Sequence, residues 1–314
     1  MYNGIINIYK EAGYTSHDVV AKLRGILKQK KIGHTGTLDP EAVGVLPVCL
    51  GKGTKVCDLL TDKDKVYETV MRLGVVTDTQ DMTGKLLRES PVHVTREALE
   101  EVFEQFRGDY DQVPPMYSAL KVQGKKLYEL AREGQVVERK ARRVQIRELE
   151  LLELEPDGIH VHMRVHCSKG TYIRTLCHDI GGRLGCGAAM EKLTRTRVGI
   201  FKIEDAVTLA QVESLVGNRQ IDAVIHSIDS MFAMWPAGRT AAPADRLLYN
   251  GNVLNRKDLM IESEEGLDPG AMSGTGKEPE AGEKFRVYDS QGQFCAVYVY
   301  DRRHKIFKNE KMFV

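Results

Sequence analysis

Residues 33–40 read Gly-His-Thr-Gly-Thr-Leu-Asp-Pro, and residues 44–51 follow with Gly-Val-Leu-Pro-Val-Cys-Leu-Gly. The first stretch is too rich in glycine for regular structure, so we expect a shaped loop that presents side chains. Proline disfavours helical backbone at the residue before it, which biases Asp39 toward an extended, projecting geometry. The sequence therefore predicts a loop that presents one carboxylate at a defined place.

Strands and helices are predicted on both sides of this loop. Residues 4–9 alternate like a strand, and Thr15 precedes apolar residues at helical spacing. Residues 66–76 are typical of a strand, while residues 95–106 open with an N-cap threonine followed by glutamates and indicate a helix. The loop thus lies in a chain that mixes the two kinds of element.

A third strand is predicted over residues 159–166, where apolar and polar side chains alternate strictly. Its polar positions include His160, His162 and His166. Histidines on one strand face can ligate a metal, but no carboxylate or cysteine is interleaved among them in the sequence. We therefore expect a solvated strand face and no bound metal.

The C-terminal third of the chain differs in composition from the rest. Residues 263–282 consist largely of glycine, proline, serine and acidic residues, so we expect an exposed mobile loop there. Residues 285–287 and 294–300 flank a short polar turn and predict a β-hairpin. We predict two domains, residues 1–230 and residues 231–314, with the acidic loop inside the second.

One further turn is predicted within this second domain. Residues 248–253 read Leu-Tyr-Asn-Gly-Asn-Val. An Asn-Gly pair between apolar residues is a strong hairpin signal, so we expect a turn between two short strands here.

Composition limits the class of protein. The chain has 314 residues with 42% hydrophobic and 28% charged residues, which is enough to bury a large core. Its six cysteines form no CxxC pair, and its N-terminus shows no apolar leader, so we expect a cytoplasmic protein without disulfides or structural zinc. No apolar run is long enough to predict a membrane span.

The net charge is +1, but the charges are unevenly distributed. Residues 22–31 carry five basic and no acidic residues, and residues 119–147 carry nine basic and three acidic residues. Residues 262–283 carry seven acidic residues and one lysine. The two basic stretches are either solvated surfaces or contacts to a polyanion, and composition does not choose between them.

The two glycine-rich stretches resemble the GHTGTLDP…GVLP signature of TruB-type pseudouridine synthases. Further stretches that match this family occur in the family's order: 64–67 (DKVY), 115–121 (PMYSALK), 124–128 (GKKLY) and 167–174 (CSKGTYIR). The resemblance covers roughly residues 4–200 well and the C-terminal part only loosely. One departure is Glu11, which follows Lys10 where the family has a proline; the missing rigid turn affects local packing rather than the catalytic residues.

The resemblance implies a fold, an activity and a partner. The fold is α+β, with a mixed, largely antiparallel central sheet and a small C-terminal β-domain of the PUA type. The activity is isomerisation of the T-loop uridine of tRNA, position 55, to pseudouridine, without metal or organic cofactor. The partner is the T-arm stem-loop of tRNA, and we expect a monomer that does not bind membranes.

The resemblance also assigns roles to six residues. Asp39 is the catalytic carboxylate, and Arg174 pairs with it through a bidentate contact. Tyr67 stacks on the uracil and is placed for the later removal of the C5 proton. Tyr172 and Leu193 line the uridine pocket, and His34 helps the target nucleotide flip outward.

A carboxylate at this position suits the chemistry. The C1′–N1 bond must break, the base must turn, and C5 must join C1′. Asp39 can attack C1′ directly or remove the 2′ proton to give a glycal, and both routes stay open.

The sequence argues against two other functions. A catalytically idle RNA-binding protein on the same fold would not need Asp39, Tyr67 and Arg174 together. A nucleotide hydrolase that uses the glycine-rich loop would need the GxxxxGK[ST] spacing, which the chain lacks.

The resemblance turns the basic residues into candidate phosphate contacts, because structured RNA is recognised mainly by shape and backbone. The candidates are Lys121, Lys125, Lys126, Arg142 and Lys169.

The first prediction tests this assignment with the triple variant Lys125→Ala, Lys126→Ala, Arg142→Ala. Each lost phosphate contact should flatten the dependence of log affinity on log salt by about one unit, roughly two to three for all three contacts. The measurement is tRNA binding across a salt series. Single-turnover rates at saturating enzyme should barely change, and an unaltered salt slope would make the segment a solvated surface.

Overall fold

The computed structural model describes residues 1–122, 124–263, 266–267 and 278–314. Most of the predicted acidic loop at 263–282 lies outside the described residues, so its predicted exposure and mobility stay predictions. Among the described residues, no helix combines the length and apolar composition needed to span a bilayer.

The strands are numbered in chain order. They are β1 (Gly4–Lys10), β2 (Ile32–His34), β3 (Val43–Leu50), β4 (Lys65–Leu73), β5 (Val75–Thr77), β6 (Leu86–Glu89), β7 (Gly108–Gln112), β8 (Lys121–Val122), β9 (Lys125–Lys126), β10 (Arg142–Leu154), β11 (His160–Cys167), β12 (Ala188–Val198), β13 (Phe201–Lys202), β14 (Ile225–His226), β15 (Ala237–Thr240), β16 (Leu254–Asn255), β17 (Leu259–Ser263), β18 (Gly266–Leu267), β19 (Lys284–Tyr288), β20 (Phe294–Asp301) and β21 (Ile306–Met312). The helices are α1 (Ser16–Leu27), α2 (Cys57–Thr61), α3 (Arg96–Phe106), α4 (Leu127–Arg132), α5 (Ile173–Arg183), α6 (Leu209–Gly217) and α7 (Asp245–Tyr249).

The central sheet has the strand order β14-β1-β3-β12-β4-β11-β10-β7, with β2 paired to β3 and β13 paired to β12. Neighbouring strands are antiparallel except β3 and β12, which run parallel. The mixed, largely antiparallel sheet predicted from the sequence is therefore confirmed.

Local signals account for the ends of several elements. The Thr15 hydroxyl accepts from the backbone N–H of Asp18 while the Asp18 carboxylate accepts from the Thr15 N–H, a reciprocal cap that starts α1. Thr95 caps α3 with a single bond of this kind, in which its hydroxyl accepts from the Ala98 N–H. The strand predicted over residues 66–76 ends earlier, at Leu73, because Gly74 adopts a left-handed backbone that breaks the strand.

The hairpin turn predicted at residues 248–253 is wrong. This segment begins inside α7, and the left-handed Gly251 terminates that helix. The Gly251 N–H donates to the Leu248 carbonyl and the Asn252 N–H to the Leu247 carbonyl. Glycine readily adopts the left-handed backbone that both a helix end and a tight hairpin turn need. The Asn-Gly pair alone therefore does not distinguish the two.

A second sheet forms the C-terminal part of the chain, in the order β16-β21-β20-β19-β15-β17-β18. Phe232, Val297 and Phe313 from this part pack with Ile5 and Val45 of the central sheet in one hydrophobic cluster. The two sheets therefore share a buried core. The predicted domain boundary at residues 230 and 231 stays a prediction.

The first turn of α5 follows Tyr172, and the helix packs against β12. Gly181 makes this packing possible, because a Cβ atom built there would lie 2.1 Å from the Ala188 backbone nitrogen. The neighbouring Gly182 is exposed, and a Cβ atom there would meet nothing within 4 Å.

We predict opposite effects of alanine at these two adjacent helical glycines. Gly181→Ala should lower the free energy of unfolding by about 1–3 kcal/mol, because the backbone of residue 188 cannot easily move aside. Gly182→Ala is the matched control and should raise the free energy of unfolding by up to about 1 kcal/mol, because alanine favours helix over glycine. Urea denaturation of both variants checks this. Equal stability of the two would contradict the packing described.

Candidate active site

The loop that carries Asp39 connects β2 to β3. The Thr35 N–H and hydroxyl both donate to the Pro47 carbonyl, at 3.1 and 3.2 Å. The Leu38 N–H donates to the Ser16 hydroxyl at 2.9 Å, and the Leu38 side chain is buried in the main core. The loop is thus fixed before and after the glycine at 36, which adopts a positive φ of 119°.

Lys10 binds the C-terminal part of the same loop. Its side chain is fully buried, and its ammonium donates to the carbonyls of Pro40 at 2.8 Å and Ala42 at 2.6 Å. Burial lowers the pKa of Lys10 to about 8. The departure at Glu11 falls on an exposed residue whose carbonyl also accepts from the Lys10 ammonium, at 3.0 Å. These contacts give the loop a support that does not need the family proline.

The Asp39 carboxylate meets a buried cation. Arg174 is 6% exposed, and its Nη2 lies 3.3 Å from Asp39 Oδ1. The Asp39 side chain keeps 39% of its surface exposed, so a substrate can reach it. The bidentate contact expected from the resemblance is not formed, because Nη1 of Arg174 turns to a second carboxylate, Asp81, at 3.7 Å.

Asp81 is a site residue that the sequence analysis missed. It lies in the turn 78–84 (DTQDMTG) between β5 and β6. Its Oδ1 accepts from the Thr79 hydroxyl, the Thr83 hydroxyl and the Thr83 N–H at 2.6–3.0 Å. This network aims the remaining oxygen, Oδ2, at Arg174. The signal that could have found it is an aspartate flanked by threonines in a tight, glycine-containing turn.

An apolar wall lies beside the carboxylate. Tyr67 on β4 and Leu193 on β12 are 8% and 9% exposed and belong to the same core cluster as Leu38. Burial raises the pKa of the Tyr67 hydroxyl. The structure therefore brings Asp39, Arg174, Tyr67 and Leu193 into one region.

Tyr172 stands at the start of α5 next to Arg174. The Gln112 side-chain amide brackets its backbone, accepting from the Tyr172 N–H at 2.8 Å and donating to the Tyr172 carbonyl at 3.0 Å. The Arg174 guanidinium carbon lies 5.9 Å from the centre of the Tyr172 ring. Burial raises the pKa of Tyr172. The ring is half-buried, which leaves a flat surface accessible.

His34 ends β2 immediately before the loop. Its ring is half-buried, and its Nδ1 makes no hydrogen bond within the described ranges of the chain. Burial lowers the pKa of His34. The lowered pKa favours the neutral imidazole at this edge of the loop.

The candidate phosphate contacts lie on the surface. Lys121, Lys125, Arg142 and Lys169 are exposed, and Lys126 is half-buried. Lys125 pairs with Glu133 at 3.5 Å and Lys169 with Asp62 at 2.7 Å. Exposed pairs of this kind contribute little to stability, so phosphates can compete for these ammonium groups.

Carboxylates from neighbouring segments surround the histidines of β11, although none is interleaved among them in the sequence. His160 contacts Asp157, His162 contacts Glu155 at 2.6 Å, and His166 lies 3.8 Å from Asp64. The hydrogen bond to Asp157 raises the pKa of His160. Glu155, Asp157 and His160 are close enough to hold a metal ion, but these side chains are at least partly exposed and already form ion pairs.

Comparison with known proteins places this chain in a class. A family model described as TruB family pseudouridylate synthase (N terminal domain) matches residues 24–173, and a tRNA pseudouridylate synthase B C-terminal domain model matches residues 174–233. Among solved structures, a chain of an H/ACA RNP bound to a substrate RNA containing 2′-deoxyuridine aligns over 99% of this chain and 85% of its own length. Its TM-score is 0.70 and its sequence identity 25%.

Curated relatives extend the match over the full length. A protein named tRNA pseudouridine synthase B from Lachnoclostridium phytofermentans is 51% identical over 99% of this chain and all of its own. A protein of the same name from Clostridium novyi is 44% identical over 99% of both chains. The fold is that of a pseudouridine synthase, and the relatives are isomerases of this kind. This chain belongs to the TruB family of pseudouridylate synthases.

The third prediction concerns the second carboxylate at Arg174. Asp81→Asn keeps an oxygen for the threonine contacts but removes the negative charge next to Arg174. We expect the single-turnover rate to fall about 10- to 100-fold, because Arg174 can shift and misplace Asp39, while RNA affinity stays within about threefold. Asp78→Asn, in the same turn without an arginine contact in the described structure, is the matched control. Equal rates for both variants would remove Asp81 from the site.

Proposed function

We propose that this enzyme converts uridine 55 in the T loop of tRNA to pseudouridine, with Asp39 as the catalytic carboxylate. The observation that supports this most is a half-exposed carboxylate held by a buried arginine beside a buried tyrosine. The names of the relatives, tRNA pseudouridine synthase B, favour tRNA as the substrate.

Asp39 has the position that the chemistry requires. Lys10 and Ser16 fix the backbone on either side of it, while Arg174 sets the direction of the carboxylate. A carboxylate fixed in this way acts at C1′ of the ribose without reorganising during the reaction. It either attacks C1′ to form a covalent intermediate or removes the 2′ proton to give a glycal, and both routes use the same placement.

The base needs a surface on which to turn after the glycosidic bond breaks. Tyr67 and Leu193 supply an apolar wall, and Tyr172 supplies a half-exposed ring next to Arg174. Planar and apolar contacts hold a base that has left its stack without fixing its orientation. Tyr67 then takes the proton from C5.

Binding of the T-arm stem-loop uses groups outside the pocket. His34 fills the space that the flipped nucleotide leaves, because replacing lost stacking offsets the cost of extrusion. Lys121, Lys125, Lys126, Arg142 and Lys169 contact phosphates, and residues 231–314 act as a PUA-like RNA-binding domain. We place the enzyme in the cytoplasm as a monomer that needs no metal or organic cofactor.

A catalytically idle RNA-binding protein is the competing function. It would have no use for a carboxylate that three parts of the chain hold in place. Burying Arg174 and Lys10 costs solvation energy, and an idle protein would gain nothing from the arrangement they produce.

The fourth prediction is that Asp39→Asn abolishes pseudouridine formation in an unmodified tRNA transcript. The amide can neither attack C1′ nor remove a proton, so we expect less than about 1% of the wild-type rate, a loss of the order that removal of an essential catalytic group produces. Affinity for the T-arm should stay within about threefold. Glu41→Gln removes an exposed carboxylate from the same loop and should leave the rate unchanged.

The product is located by chemical mapping of pseudouridine along the tRNA, with no added cofactor and with chelator in a parallel reaction. Modification at a uridine other than 55 would overturn the site of action. Activity of Asp39→Asn above a few per cent would overturn the catalytic assignment. Loss of activity in chelator, on a prefolded stem-loop, would indicate a metal.

A further inference from the structure

Arg195 is a buried cation that the proposed function does not yet use. It lies on β12 and is 1% exposed, among the largest fully buried side chains of the described chain. Lys10 and Arg174 are buried near the same site, but the Lys10 ammonium donates to three backbone carbonyls and Arg174 has two carboxylates within 4 Å. For Arg195, no Asp or Glu oxygen lies within 4 Å in the described ranges. A charge removed from water without a counter-charge is costly, so its retention calls for a reason.

The hydrogen bonds of Arg195 explain only part of this burial. Its Nε donates to the Val45 carbonyl at 2.7 Å, and its Nη1 reaches the Thr37 carbonyl at 3.5 Å. Thr37 stands two residues before Asp39, so this contact supports the loop. The remaining nitrogen, Nη2, is buried and makes no hydrogen bond to any described residue. The guanidinium therefore has one buried N–H group that the contacts to backbone carbonyls do not use.

The sheet register places this guanidinium next to Tyr67. Arg195 on β12 is directly opposite Tyr67 on β4, and residues so paired in antiparallel strands share one face of the sheet. Three titratable or charged groups influence the pKa of the Tyr67 hydroxyl: Arg195 from β12, Cys167 from β11 and Asp39 from the loop. Burial raises the pKa of Tyr67, the Arg195 charge lowers it, and Cys167 and Asp39 raise it further.

We propose that Arg195 is a positioning residue whose buried charge holds the Tyr67 oxygen ready to take the C5 proton, while its other nitrogens hold the Asp39 loop. This inference rests on the proposed role of Tyr67. It explains why the cation has no carboxylate beside it. A permanent carboxylate partner would neutralise the guanidinium, whereas the tyrosine oxygen carries negative charge only when its own proton has left.

The proton transfer balances with the groups present. Tyr67 first loses its hydroxyl proton to water. After C5 has joined C1′, the C5 proton moves to the phenolate oxygen, and the electron pair of the C5–H bond forms the C5–C6 double bond of the base. The pair of the C6–N1 double bond moves to N1, which takes a proton from water. Arg195 neither gains nor loses a proton, because a guanidinium stays charged in proteins.

The experiment compares two variants that separate charge from hydrogen bonding. Arg195→Lys keeps a positive charge but loses the planar fork, and Arg195→Gln keeps a donor for the Val45 carbonyl but has no charge. Lys192→Gln, at an exposed lysine on the same strand, is the control. Thermal melts establish that each variant folds.

Two readouts are measured on each variant. The first is the ionisation midpoint of Tyr67, followed by NMR of the protein labelled with ¹³C at tyrosine Cζ, with the Tyr67 signal assigned by its loss in Tyr67→Phe. The second is single-turnover release of tritium from a T-arm RNA that carries [5-³H]uridine at the target position.

We expect Arg195→Gln to raise the Tyr67 midpoint by about one pH unit or more and to slow tritium release at neutral pH at least tenfold, because each unit lowers the phenolate fraction tenfold. Arg195→Lys should lie between Arg195→Gln and wild type, and Lys192→Gln should match wild type. A purely structural role for Arg195 would lower the melting temperature without moving the midpoint of Tyr67.

A folded Arg195→Gln with the wild-type midpoint and rate would overturn the inference. If that variant does not fold, Arg195→Lys decides: a midpoint less than about one unit above wild type supports the role of charge, and a rise of about one unit or more contradicts it. If Tyr67→Phe keeps the wild-type rate, the proposed role of Tyr67 fails and this inference fails with it. If Tyr67→Phe is inactive but Arg195→Gln keeps the wild-type midpoint and rate, the inference about Arg195 fails and the proposed role of Tyr67 stands.

Discussion

The buried Arg174 guanidinium, held between Asp39 and Asp81, is the contact on which the arrangement of the site depends. It joins the start of α5, the glycine-rich loop and the turn after β5, which are far apart in the sequence. A cation buried to this degree is stable only when charged or polar groups surround it. The two carboxylates therefore cannot be placed independently, and each one limits where the guanidinium directs the other.

Buried cations also solve a problem that the glycine-rich loop creates. A loop without regular hydrogen bonding leaves backbone carbonyls unpaired, and unpaired polar groups inside a protein are costly. Lys10 donates to the Pro40 carbonyl and Arg195 to the Thr37 carbonyl, while the Ser16 hydroxyl accepts from the Leu38 N–H of the same loop. The shape of the loop is thus determined largely by residues outside it. This is why the loss of the family proline at Glu11 leaves the Lys10 contacts in place.

The two faces of the central sheet have different surroundings. One face of β4 and β12 carries Tyr67 and Leu193 in an apolar cluster that excludes water. The other face of β11 carries histidines that pair with acidic side chains from neighbouring elements. Alternation along each strand produces this division, because successive side chains point to opposite faces. The same alternation brings a charged residue, Arg195, to the apolar face directly opposite Tyr67.

The sequence by itself determined the features that depend on near neighbours. The cap at Thr15, the alternation of residues 159–166 and the glycine-rich motif at 33–40 each act over a few residues, and the motif resemblance extended them to the family and its fold. A local signal failed where a helix end and a hairpin turn use the same residues, as at Gly251. Tertiary structure alone decided that Arg174 shares its charge between Asp39 and Asp81, and that Arg195 stands beside Tyr67. Those placements follow from strand order and register, which packing of the whole chain sets and which no local pattern contains.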